Sequence, residues 1–385
     1  MRKKILISIC LVIFIVCLSL NKYIKIISIP IYYIPMSILF IYVIMKIIKT
    51  MKIERIFFFL IIWMVYAIIL MIFNYNNSSI MAVTSLMTNI ITFLIIENLA
   101  KEDVQYIKTS IHAMEISLII ICIVAIYEII TKSHIMQLSS EYSRRFYGLP
   151  LTFYVNANDL SVIIVSAISI VLIDMNWETC SKIKTYILLL LIICGCYVVI
   201  MTQSLIGKIS ILVILVLGMF IKLYYKKKKK IILILLIVFI FGFLYIANNE
   251  PIDVGEYDAF SSRFIIWKVV LNIFIASHGV GIGPGQNSII GVGQVHCLPL
   301  EILSEYGIII FLFLAIMYIK EIMKARNKII IRQQNKKNTT MYSIILSYLI
   351  ILPILSISTS SMTKLYLTWC AISICHAILT NIKEE

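Results

Sequence analysis

The chain reads as an all-α integral membrane protein, and three observations predict that class. Hydrophobic residues fill 61% of its 385 positions, and the mean hydropathy is +1.01, far above the roughly half-apolar make-up of a soluble domain. The apolar residues gather in runs that can cross a hydrocarbon core of ~30 Å, for which ~20 helical residues suffice. Helices are the economical solution there, because in lipid each backbone group must find its partner within the segment. Finally, basic residues crowd onto alternate connections between those runs.

Taken in order, the apolar runs predict about twelve transmembrane helices, centred near residues 12, 38, 64, 89, 120, 166, 192, 213, 239, 309, 349 and 371. The first begins with Arg2, Lys3 and Lys4 as a signal peptide would, but no small-residue cleavage site precedes Asn21, so it reads as a retained span. Pro30 and Pro35 mark the second as broken or late-starting. With the N-terminus in the cytoplasm, most of the 34 Lys and Arg residues fall inside, among them Lys226 to Lys230 and the stretch from Lys320 to Lys337. That pattern predicts both termini in the cytoplasm of a bacterial cell membrane. It also turns the net charge of +15 into a matter of topology, with the lysine run anchored at lipid headgroups and no nucleic-acid partner expected. Heavy use of Ile, Lys and Asn suggests a low-GC bacterium. Most of the nine cysteines lie within apolar runs, where cysteine packs as a small hydrophobe.

Residues 1–385 form a single polytopic domain in this reading, with a first outer loop at 132–157 and a large outer loop at 248–297. The large loop carries SSRFIIWK, GVGIGPGQ and the start of VHCLPLEILSEYG, and so bears the candidate site. Ser261 to Ile275 reads as a helix that is apolar nearly all round, with Ser261, Lys268 and Asn272 on one narrow polar strip. It is short for a span, which predicts a re-entrant or interfacial helix.

The outward-facing basic residues are Lys22, Lys25, Lys132, Arg144, Arg145, Arg263, Lys268 and Lys364, with Lys208 just inside the outer end of the eighth span. Arginine's fork suits bidentate grip on phosphate, which singles out Arg145 and Arg263. The bland alternative pairs them with Glu141 or Asp258, or lets them snorkel to lipid phosphates. Gly279, Gly281, Gly283 and Gly285 fit no G-x-G-x-x-G or Walker register. They predict either a tightly turning loop or backbone amides that contact phosphate.

His296 immediately precedes a helix with Pro299 in its first turn, where proline is tolerated. Glu301 falls in that turn and Glu305 lies one turn deeper on the same face. A histidine and a carboxylate so placed can act as a general base and its orienting partner; alternatively, Glu301 merely complements the helix dipole. Glu305 needs a partner or a water-filled cavity, since an unpaired charge in a span is costly. Asn156 and Asn158 either bind sugar hydroxyls or cap the sixth span.

Four segments in order, RRFYGLPLTFYVNANDL, RFIIWKVVLNIFIASHGVGIGPG, VHCLPLEILSEYG and STSSMTKLYLTW, resemble the successive motifs of the Wzy-type polysaccharide polymerase and O-antigen ligase family. Together they cover about a quarter of the chain. Two positions depart from the family pattern: Cys297 stands where an asparagine usually follows the motif histidine, and TQSLIGK offers Ser204 and Lys208 in place of a serine–arginine pair.

The resemblance implies a membrane glycosyltransferase that works at the outer face on undecaprenyl-diphosphate-linked oligosaccharides, with no nucleotide sugar, no cofactor and no metal. Arg145, Arg263 and Lys208 would hold the diphosphate, stabilising the charge that develops on the leaving group. His296 would be the base, with Glu301 and Glu305 in the catalytic set, and Asn156 and Asn158 would bind sugar. The expected activity is polymerisation of repeat units into a capsular or O-antigen-like polysaccharide. The alternatives are ligase-type transfer of a finished glycan and a lipid-linked oligosaccharide flippase. Expected partners are the lipid-linked substrates, the membrane, a flippase and a chain-length regulator.

Overall fold

The computed structural model describes residues 2–20, 25–26, 29–50, 55–136, 146–154, 156–177, 181–225, 259–288 and 294–382. The described residues form twelve α-helices: α1 (Arg2–Ser19), α2 (Tyr33–Thr50), α3 (Arg55–Phe73), α4 (Asn77–Glu102), α5 (Gln105–Thr131), α6 (Ala157–Met175), α7 (Lys182–Met201), α8 (Leu205–Tyr225), α9 (Ala259–Ala276), α10 (Leu298–Gln334), α11 (Thr340–Leu355) and α12 (Tyr366–Asn381). All the apolar centres read from the sequence lie inside these helices except the one near residue 239, which, like Lys226 to Lys230, is outside the described residues. Six of the helices, α3 to α7 and α10, are long and apolar enough to cross a membrane by length and composition.

Three local features go beyond the sequence expectation. A two-residue antiparallel pairing of Lys25–Ile26 with Ile29–Pro30 precedes α2, whose start at Tyr33 is the late start that Pro30 and Pro35 predict. The helix expected over Ser261 to Ile275 is α9, two residues longer at its N-terminus and one at its C-terminus. Third, α10 does not end with its apolar run: it continues through the basic stretch to Gln334, 37 residues in all, and is kinked at Gly307, where φ is 79° and ψ 178°.

At the centre lies α6, almost every residue of which is buried; it packs against α5, α7, α8, α11 and α12. Its serines do not disturb this burial, because Ser166 Oγ donates to Val162 O (2.8 Å) and Ser169 Oγ to Val165 O (2.9 Å), satisfying the hydroxyls within the helix. Glycines on its neighbours allow close approach: a Cβ on Gly207 of α8 would lie 2.8 Å from Ser161.

Asp159 opens α6 and Asp174 ends it, which labels the two ends of the bundle. The Asp174 end carries the ion pairs of Lys4 with Asp103, Lys46 with Glu102, Lys101 with Glu97 and Lys324 with Glu321. The Asp159 end carries the candidate site.

Candidate functional site

The site grows from a break in the chain. Pro353 disturbs the last turn of α11, the helix stops at Leu355, and the next residues, Ser356 to Thr363, are mostly hydroxyl-bearing. Such side chains bond to nearby backbone in non-helical conformations and favour turns. Three consecutive residues of this segment each hold a site group from elsewhere. Thr359 O accepts from His296 Nδ1 (2.7 Å). Ser360 donates its backbone N–H to Asp159 Oδ1 (2.8 Å) and its hydroxyl to Oδ2 (2.6 Å). Ser361 Oγ donates to Glu301 Oε1 (2.5 Å), joined by Thr363 Oγ1 (3.1 Å).

The Thr359 contact decides the state of the histidine. A carbonyl oxygen only accepts, so Nδ1 carries the proton and Nε2 of the neutral ring keeps its lone pair. His296 is fixed on both sides: Trp267 Nε1 donates to Val295 O (3.0 Å), and the Leu298 amide donates to Ser356 Oγ (3.2 Å). Its own backbone adopts φ 52°, a left-handed conformation uncommon for a residue with a side chain. Burial pulls its pKa below the usual imidazole value and the charge of Arg263 lowers it further, while the Thr359 carbonyl opposes both.

Arg263 stands one turn before Trp267 on α9, on the same face, so the Trp267 anchor brings the guanidinium into the field of His296. Burial lowers the Arg263 pKa from its usual value. The structure therefore unites His296 and Arg263, which are 33 positions apart in sequence. Lys364, which the sequence marks only as an outward cation, follows the same hydroxyl segment, and its ammonium interacts with Asp159, Glu301 and Glu305.

Glu301 is not the orienting partner of His296. Its carboxylate turns to the hydroxyls of Ser361 and Thr363, the donors a buried carboxylate needs, and the Thr359 carbonyl takes the role at the ring. Glu305 faces a third set of groups: Asn287 Nδ2 (3.1 Å) and the Gly285 amide. It thus finds the partners that its burial requires, in the glycine loop.

That loop is stitched to α10 and α3. Ile282 N donates to Ser304 O (2.8 Å), Gly283 N to Glu305 O (3.0 Å) and Ile308 N to Gly279 O (2.9 Å). Tyr66 Oη donates to Val280 O (2.6 Å). Gly281 has φ +91°, and a Cβ there would lie 2.6 Å from the Gly307 nitrogen. With Gly281 N also bonded to Ser277 Oγ (3.2 Å), the amides from Gly281 to Gly283 are committed to packing.

The remaining sequence candidates take these places. Asn156 is the N-cap of α6, its side chain accepting from Asn158 N (2.9 Å), and the Asn158 carbonyl accepts from Ser161 Oγ (2.7 Å). Lys208 lies in the first turn of α8, next to Gly207, which packs on Ser161, two residues after Asp159. Arg145 lies outside the described residues. Upstream of Asn156, the buried Glu128 carboxylate accepts from the amides of Ile135 (2.9 Å), Leu151 (2.7 Å) and Thr152 (2.7 Å), tying the described parts of the first outer loop to α5.

Among the described residues, one cluster has metal-ligand chemistry: His112, Glu115 and Asp174, at the opposite end of α6. A cation already sits there, since Lys184 Nζ contacts His112 Nε2 (3.0 Å) and pairs with Asp174.

Residues 187–315 match the family model described as O-antigen ligase. That match covers about a third of the chain. None of the curated proteins compared with the chain matches it. The matched segment takes in Lys208, Arg263, the glycine loop, His296, Glu301 and Glu305, whereas the Thr359–Ser361 segment that bonds His296 and Glu301, and Asp159 that bonds it in turn, lie outside. Asp159 and the hydroxyl segment, the latter within STSSMTKLYLTW, are not among the candidate site residues the sequence indicates. Their signal is a dense run of hydroxyl donors between two apolar helices in a chain with carboxylates to satisfy.

Proposed function

We propose that the protein is a membrane glycosyltransferase that polymerises oligosaccharide repeat units carried on a lipid diphosphate, at the outer face of the bacterial cell membrane. The observation that carries this reading is the pairing of a fixed imidazole, its Nε2 lone pair available, with a half-buried arginine at one end of an apolar bundle. In this reaction His296 Nε2 takes the proton of an acceptor hydroxyl. The hydroxyl oxygen forms a bond to the anomeric carbon of the donor, and the bond from that carbon to the diphosphate oxygen breaks. The leaving diphosphate keeps that electron pair, and Arg263, with Arg145 and Lys208, stabilises the charge that develops on it. Asp159 and Glu301 act on the rigidity of the hydroxyl segment rather than on the sugar.

The same chemistry with another acceptor is ligation, the activity in the family's description. The test is expression of the wild-type chain, His296→Ala and Arg263→Ala in a strain deleted for the gene, with the surface polysaccharide run on a sizing gel. Loss of the high-mass ladder, with single lipid-linked units still reaching the outer face, is the expected result. Ladder retained on the lipid but missing from a second acceptor indicates a ligase, units trapped inside indicate a flippase, and a normal ladder from both variants refutes the site.

A further inference from the structure

At the end of α6 opposite His296, the nitrogen of His112 and one carboxylate oxygen each from Glu115 and Asp174 lie within 4.8 Å of one another. None of these groups enters the transfer chemistry above. His112 and Glu115 stand at i and i+3 on α5, hence on one face, and Asp174 is in the last turn of α6. From the start of α7 Lys184 reaches between them: its ammonium lies 3.0 Å from His112 Nε2 and pairs with the Asp174 carboxylate. An ammonium only donates, so Nε2 is the acceptor, and the ring turns its lone pair to the centre of the cluster.

Lys184 alone does not balance the charges it meets. Glu115 is 9% exposed and Asp174 4%. The two carboxyl groups touch each other, and among the described residues no N–H donor reaches Glu115 Oε1. Two buried carboxyl groups in contact need either a proton held between them or a second unit of positive charge. Lys184 brings one unit only, on a side chain that is 33% exposed. The neighbouring cation, Lys108, sits over the Trp177 ring, 5.6 Å from its centroid, rather than between the carboxylates.

We infer that His112, Glu115 and Asp174 form a site for a divalent transition-metal ion of the zinc class, with Lys184 as its built-in competitor. Such an ion supplies the two charges that the two carboxylates call for. One imidazole nitrogen with two carboxylate oxygens is a donor set that zinc takes, whereas magnesium and calcium favour oxygen alone. Ligand atoms at ~2.1 Å from a tetrahedral zinc stand about 3.4 Å apart, so the cluster has little contraction to make. His112 is exposed, which opens the site to solution, and the fourth position falls to water. As the ion enters, the Lys184 ammonium leaves Nε2 and Asp174 for water, since like charges repel at this range. The ion then ties α5 to α6, where Lys184 otherwise ties both to α7.

The test is zinc binding by the full chain in detergent, purified without a histidine tag and stripped with EDTA, read by competition with a chromophoric zinc indicator and by thermal unfolding. Wild-type protein should take up Zn²⁺ and melt at a higher temperature with it, but not with Mg²⁺. His112→Ala, a change at an exposed ring, and Glu115→Gln should each weaken zinc binding by about tenfold or more, as loss of one ligand in three requires. His278→Ala, at a histidine that is likewise exposed but outside the cluster, should leave it unchanged. Lys184→Met is the decisive variant: with the competing charge gone it should bind zinc about tenfold more tightly, and stability that it loses in EDTA should return with zinc. Absence of zinc uptake, uptake that His112→Ala leaves within twofold, or a Lys184→Met variant that binds no more tightly than wild type overturns the inference. The cluster is then an ion pair with a proton shared between its two carboxyl groups.

Discussion

Asp159 touches no atom of His296, yet its replacement should slow transfer, and the size of the effect follows from its two contacts. The carboxylate accepts the Ser360 amide at 2.8 Å and the Ser360 hydroxyl at 2.6 Å. Bonds to a charged group contribute about 1.5–3 kcal/mol each and neutral ones about 0.5–1.5. Asp159→Asn keeps the shape and removes the charge, so it costs about 1 kcal/mol per bond, or about 2 kcal/mol in all. If that loosening reaches Thr359 and Ser361 on either side, transfer slows by about 30-fold at 1.36 kcal/mol per decade. Ser360→Ala removes one donor and leaves Oδ2 short of a partner, for about 1–3 kcal/mol. Because the two substitutions break the same interaction, the double variant should cost less than their sum by about 1–2 kcal/mol.

The assay is the rate of transfer between lipid-linked oligosaccharides in proteoliposomes at matched protein, with the acid limb of the pH profile as a second readout. The Thr359 carbonyl raises the His296 pKa, so a loosened segment should move that limb to lower pH, which a purely global loss of folded protein would not do. Asp159→Asn within twofold of wild type, or single costs that simply add, refutes the argument that the segment positions the histidine.

Three further outcomes are expected. Burial and the Arg263 charge hold the His296 pKa below its ordinary value of ~6.5, so kcat/KM should persist as pH falls through that value and decline only below it; Arg263→Gln removes one of the two depressing causes and should shift the residual activity's limb upward. Gly281→Ala places a methyl 2.6 Å from the Gly307 nitrogen at φ +91°, whereas Gly148→Ala meets nothing within 4 Å at φ +76°. Thermal unfolding in detergent should show about 1–2 kcal/mol lost at Gly148, the left-handed cost alone, and clearly more at Gly281. Glu128→Gln weakens the three amide contacts that tie the first outer loop, by about 2–3 kcal/mol together, and hydrogen exchange should accelerate at Leu151 and Thr152.

The helices were legible because lipid leaves a long apolar run almost one conformation. Where the apolar run ended, legibility ended with it. The extension of α10 to Gln334 is carried by charged residues that read equally well as a loop. The Gly307 kink depends on the backbone of Val280, against which it packs, and no local pattern reports that contact. His296 and Arg263 could be read for the opposite reason, as polar groups that an apolar neighbourhood has to account for.

The partner of His296 is less legible than the ring itself, because Glu301 bonds Ser361 and Thr363 instead. Sequence offers near neighbours, and Glu301, five positions on, is one, but the group that bonds the ring is Thr359, 63 positions away, and Ser360 meets Asp159 across 201. A donor count would have found them. Asp159, Glu301 and Glu305 are all buried at one end of the bundle, and carboxylates inside an apolar bundle must be bonded or they do not stay charged. Beside the Lys364 ammonium, their bonded donors are hydroxyls and amides, and Ser356 to Thr363 is a dense run of such donors between two apolar helices. That run lies beyond residues 187–315. The matched segment thus holds the histidine, the arginine and the glycine loop, but the bond that orients His296 comes from the α11–α12 connection, which Asp159 of α6 holds in turn.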